Sequence, residues 1–143
     1  MFPRADIPVV QLSMDYSRAP HEHYVLAQQL KALRQQGVLI VGSGNVVHNL
    51  SQMQRGAAAE QAYDWALEFD HTMAGYVQQG RLDALPTFDK LGSLARMAHP
   101  THEHLLPLLY AAGAVDAGEP VKFFNTSFQL ASISMRSMIW GAA

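Results

Sequence analysis

Residues 37–50, GVLIVGSGNVVHNL, constrain this chain most: a continuous apolar run is closed by two glycines and followed by a histidine four residues after the second. An apolar run that does not alternate suits a strand covered on both faces, in the interior of an α/β sheet. Ahead of it, HEHYVLAQQLKALRQQG (21–37) sets Tyr24, Ala27, Leu30 and Leu33/Arg34 at helical spacing and stops at Gly37. Earlier still, DIPVVQLSM (6–14) is apolar and β-branched and ends at a polar turn, which predicts a buried strand. Strand, helix and strand in about 40 residues predict a right-handed βαβ unit.

The remainder alternates in the same way. SQMQRGAAAEQA (51–62) is polar and small, a loop, and DWALEFDHTMAGYVQQG (64–80) carries Trp65, Phe69, Met73, Tyr76 and Val77 as one stripe, with Asp64 as cap and Gly80 as stop. A short helix broken near Gly92 is expected in 84–98, another helix in 100–114, and two late strands in 120–126 and 132–140. The fold class is therefore α/β, a mixed sheet with flanking helices, and 143 residues suffice for one domain, 1–143. The first strand reads as central although nothing earlier flanks it.

Charge narrows the function classes. Ten basic and twelve acidic residues are dispersed without a Lys/Arg stripe, which argues against nucleic acid. Cysteine is absent, which removes disulfides, thiolate metal sites and Cys nucleophiles and agrees with a cytoplasmic setting. No apolar stretch approaches the roughly 20 residues of a membrane span. Any metal must be held by imidazole and carboxylate.

The glycines at 42 and 44 suggest a phosphate loop. A dinucleotide fingerprint needs a third glycine where Val47 stands, and a P-loop needs a Gly-Lys-Ser/Thr that does not follow. His48 is better placed, beyond the carboxyl end of the 38–41 strand, where open α/β sheets collect ligands and where imidazole can act as general acid, general base or ligand. HPTHEH (99–104) offers three more histidines; His102 and His104 are two apart, so they form no helical chelate of the H-E-x-x-H kind. With Thr101 as N-cap, His104 falls in a first helical turn, whose dipole favours the neutral ring a metal needs. Pro107 argues for a kink or a later start. Glu68, Asp70, Asp83 and Asp89 form no evident pair and read as solvated, and Arg136 in SMRSMIW is drawn inward among apolar neighbours.

Taken together and in order, IPVVQLSM, GVLIVGSGNVVHNL, HPTHEHLLPLLYAAGA and SISMRSMIW resemble the C-terminal half of the class III extradiol ring-cleaving dioxygenases, in the branch similar to 4,5-DOPA dioxygenase. The resemblance implies an incomplete, half version of that catalytic domain. It implies non-haem Fe(II), with Zn(II) as the alternative ion, and a small phenolic substrate cleaved with O₂. His48 matches the acid/base histidine beside the metal, itself a candidate ligand, and His104 matches a metal ligand. His102 stands where many relatives carry proline, and His21, His23, His71 and His99 are set aside. A metal shared by His48 and His104 requires their rings to converge within about 5 Å, since each bond to nitrogen is about 2 Å.

Two further metal histidines of the family, in Ser-Ala-His and Gly-His-Gly-Ser segments of its N-terminal half, have no counterpart in these 143 residues. The chain thus reads as a truncated product, a split gene or a remnant, completed by a complementing N-terminal half. The rivals are a catalytically inactive remnant that self-associates through its sheet edge as a homo-oligomer, and a zinc-dependent hydrolase built on His48 and His104. The residues that contact substrate are not legible.

Overall fold

The computed structural model describes residues 3–58 and 60–141. Four α-helices form where the apolar spacing predicts them: α1 (Pro20–Arg34), α2 (Asp64–Gln78), α3 (Ser93–Ala98) and α4 (Leu106–Gly113). Proline opens α1, where its missing N–H costs nothing, and the Glu22 carboxylate accepts the Ala19 N–H at 2.9 Å. Gly37, at φ 79°, turns the chain out of the helix while Val38 N–H donates to Leu33 O. Asp64 is the first residue of α2 and not its cap, which is Tyr63. The expected break at Gly92 is present: a tight helical segment, Leu82–Leu91, precedes it and α3 follows.

The α/β composition holds, with two small antiparallel sheets. β1 (Val121–Phe124) pairs with β4 (Ser137–Trp140), Val121 opposite Trp140, and β2 (Phe128–Gln129) pairs with β3 (Ile133–Ser134). SISMRSMIW is therefore two strands, not one. Residues 6–14 and 38–44 enter no ladder, so the βαβ unit expected from them does not form among the described residues. The reason is pairing: an apolar run becomes a strand only when a neighbour takes its N–H and C=O groups. Val9, Val10 and Leu39 are 84%, 91% and 67% exposed. In the 51–62 loop, residue 59 lies outside the described residues, and a short tight helical turn, Leu50–Gln52, opens it.

The core lies between α2, α4, the 82–91 segment and the loop after residue 45. Phe69, Met73, Leu85, Leu105, Leu106, Leu109 and Val47 are fully buried in it. Helix α1 lies on α4 at the closest possible distance, because a Cβ on Gly113 would stand 2.6 Å from that of Ala27. Beyond the apolar core, Asp70 on α2 is wholly buried. It accepts Arg136 Nη2–H at 2.6 Å, Arg136 Nε–H at 2.9 Å and the Ser134 hydroxyl at 2.6 Å. Arg136 is drawn inward as expected, and it also lies 5.2 Å over the Phe123 ring. Asp70 departs from the solvated reading, whereas Glu68, Asp83 and Asp89 are exposed.

Removing one partner of a buried pair leaves an uncompensated charge. Asp70→Ala is expected to cost about 3–5 kcal/mol in urea denaturation, against less than about 1 kcal/mol for Lys31→Ala, whose partner Asp116 is exposed.

Candidate functional site

The loop 45–49 is mounted from three sides. On one edge His48 N–H donates to Ala98 O at 3.0 Å, and the His99 ring bonds Val46 O through Nε2 at 2.7 Å. On the other, Ser134 N–H donates to Val47 O at 3.0 Å and Asn49 N–H to Ser132 O at 3.2 Å. The two asparagines close the ends: Asn45 Nδ2 donates to Ser134 O at 3.0 Å and Asn49 Nδ2 to Met97 O at 2.6 Å. Val46 and Val47 fill the core beneath, and His48 between them and Asn49 is left half-buried at the surface.

The third side is the turn that carries His104. Asn45 N–H donates to His104 O at 2.8 Å. The two glycines make that approach possible: a Cβ on Gly44 would lie 2.2 Å from His104 O, and one on Gly42 would lie 2.3 Å from Pro107 O. They admit a neighbouring backbone, not a phosphate. Helix α4 starts later than Thr101, at Leu106, with Pro107 in its first turn, so His104 sits in the turn ahead of the helix. Thr101 spends its hydroxyl on the Glu103 carboxylate at 2.8 Å.

The outcome is that His48 and His104 stack, ring centres 3.7 Å apart and planes 25° from parallel. The ring centres are thus closer than the roughly 5 Å set by the sequence expectation. Burial, and next the proximity of His104, hold the His48 pKa below its ordinary value, so the ring is neutral at pH 7. Glu103 is the nearest carboxylate, Oε1 3.9 Å from His104 Nε2. Among the described residues no set of three or more His, Asp or Glu side chains is grouped to hold an ion. His102 turns away toward Phe88, 6.3 Å between ring centres, and His23 bonds the Tyr110 hydroxyl at 3.0 Å in the α1–α4 contact. His21 and His71 are exposed. A groove of about 390 Å³ between residues 38–46, α4 and β4 is lined by Leu39, Leu108, Met138 and Arg136 but by neither histidine of the pair.

His99 is the residue sequence reasoning missed. It is 5% exposed, flanked by Phe69 and Phe88, and desolvation pulls its pKa down to about 4. Its signal was present, a lone histidine closing a small-residue helix, but nothing in the pattern separates it from the exposed histidines of the same motif.

The fold that carries these two imidazoles is that of the aromatic ring-opening dioxygenases. The chain is a member of the family described as the catalytic LigB subunit of aromatic ring-opening dioxygenase, whose model matches residues 1–138. It is 39% identical over 140 residues to the 4,5-DOPA dioxygenase extradiol of Escherichia coli (strain K12), covering 96% of this chain and 51% of that protein. It is 35% identical to the 4,5-DOPA dioxygenase extradiol of Mirabilis jalapa, over 90% of this chain and 47% of that protein. The crystal structure of uncharacterized protein JW3007 from Escherichia coli K12 superposes with a TM-score of 0.82 at 35% identity, covering 96% of this chain and 57% of that one. The chain thus spans about half the length of the curated relatives it matches. No helix among the described residues is long and apolar enough to cross a membrane.

Two outcomes test this geometry. His99 is held neutral in the fold, so the unfolded chain binds the extra proton as pH falls from its ordinary 6.5 toward 4. Stability is complete above pH 6.5 and drops by up to about 3 kcal/mol at pH 4. Urea midpoints across that window are expected to show this drop in the natural chain and to lose it in His99→Leu. Gly44→Ala forces the loop off His104 O, at a cost of about 1–3 kcal/mol, and is expected to abolish ring-to-ring NOEs between His48 and His104.

Proposed function

We propose that this chain supplies the acid/base histidine and one metal ligand of an extradiol dioxygenase acting on catechol-type, DOPA-like compounds. The observation that carries the reading is the stacked pair His48–His104 on a rigid mount. His104 would hold a non-haem ion, Fe(II) or in its place Zn(II), with His48 beside it as acid/base and candidate ligand. When bound, such an ion would chelate the two catechol oxygens and bring O₂ to them. What the chain's own residues do is move protons. A catechol must lose protons to chelate, and the neutral His48 ring, half-buried and near neither Asp nor Arg in a tight pair, accepts one from a phenolic hydroxyl. The resulting imidazolium returns that proton later in the turnover. Its backbone bonds on both edges keep the ring in place during the exchange.

Two imidazoles are fewer than the three protein donors common in open catalytic sites. The exposed apolar segments 6–14 and 38–41 offer backbone groups for a further sheet neighbour, which supports completion of the site by the other half of the family's domain or by association of copies. Membership in the dioxygenase family leaves the hydrolase alternative without support.

The test is a catechol assay with Fe(II) and O₂, paired with calorimetry of divalent metal binding. His104→Ala is expected to weaken metal binding at least about tenfold. His48→Ala is expected to lower ring cleavage by about 10²–10⁴-fold. Metal binding unchanged in both variants, with no ring-opened product, overturns the reading.

A further inference from the structure

We infer that His99 is a positioning residue that sets the aim of His48 through the carbonyl of Val46; the inference rests on the reading of His48 as the acid/base of the site. A carbonyl can only accept, so the 2.7 Å bond between His99 Nε2 and Val46 O fixes the proton on Nε2. Nδ1 is then a bare lone pair, and it is buried with no partner. A leucine or methionine in this space between Phe69 and Phe88 would carry no such orphan. What the imidazole adds is one donor, aimed at the loop that carries His48.

The geometry makes that donor matter. Residues 98 and 99 hold one edge of the loop with two bonds: Ala98 O receives His48 N–H, and the His99 ring meets Val46 O two residues earlier. β3 holds the opposite edge at Val47 O through Ser134 N–H, and Ser132 O, just ahead of it, takes Asn49 N–H. Val46 O belongs to the 46–47 peptide and His48 N–H to the 47–48 peptide, so residues 98 and 99 grip the two consecutive peptide planes that lead into His48. Loss of the side-chain donor frees the 46–47 peptide on that edge, which keeps His48 N–H to Ala98 O and Asn49 Nδ2 to Met97 O. The ring of His48 is then free to tilt away from His104, and displacement of a reacting group by about 1 Å can cost on the order of a hundredfold in rate. His99 itself lies behind the pair, in the core, and reaches no substrate.

The test compares two variants of similar shape, His99→Gln, which keeps an N–H donor at the same reach, and His99→Met, which has none. Circular dichroism reports the fold, hydrogen exchange reports the His48 amide, and imidazole NMR shifts report the His48 ring. In His99→Met the His48 amide is expected to exchange about fivefold to tenfold faster, the equivalent of one lost hydrogen bond, with its ring resonances displaced. His99→Gln is expected to restore both. Equal behaviour of the two variants, whether both match the natural chain or both fail, overturns the inference. These readouts need no turnover: an inactive natural chain would retire the dioxygenase reading alone. In an active one, His99→Met is expected to lower kcat with KM within about twofold, and an unchanged kcat overturns the positioning role.

Discussion

Everything chemical in this molecule depends on how closely two backbones approach at Gly42 and Gly44. The turn that carries His104 and the loop that carries His48 come from segments more than fifty residues apart. They meet with no side chain between them: a methyl group at either glycine would overlap a carbonyl of the other segment. The Asn45–His104 hydrogen bond then fixes the register, and stacking of the two rings follows from it. Hydrophobic burial alone could not do this. It is non-directional, so Val46 and Val47 can anchor the loop in the core, but they cannot choose which way His48 faces. Direction comes from the bonds on either edge.

The same division of labour explains what the sequence disclosed. Helices α1 and α2 were legible because a 3.6-residue period and a terminal glycine are local signals, and their bounds fall close to the expected ones. His48 and His104 were legible as members of motifs, and the structure brings them together. The failures are all non-local. Segments 6–14 and 38–44 have the composition of buried strands, but composition states only that a segment would be stable if paired. Asp70 looked like any acidic residue on a helix until a partner 66 residues away turned inward to meet it. The glycine pair resembled a ligand loop because close approach to a phosphate and close approach to a peptide carbonyl make the same demand on Cβ.

The polar interior is concentrated around the mount. Asp70, Ser134 and Arg136 form a chain of charge-assisted bonds that ends on β3, and β3 is the strand holding Val47 and His48 from one side. The hairpin between β2 and β3 turns through Leu130 and Ala131 at φ 54° and 62°, a conformation that side chains disfavour. Their carbonyls receive Gln54 N–H and Tyr63 N–H, so the strained turn also ties down the segment after His48. A buried ion pair is weak as a source of stability, since desolvation offsets most of its attraction. Its value here is geometric: bidentate contact permits one orientation of Arg136, and through Ser134 one placement of β3.

Two imidazoles stacked at 3.7 Å cannot both carry charge without repulsion, and the partial burial of His48 adds to that cost. The cost falls on His48, whose ring is biased toward the neutral form with a lone pair free to accept a proton. The bonds that fix the loop on both edges therefore also fix where that lone pair points.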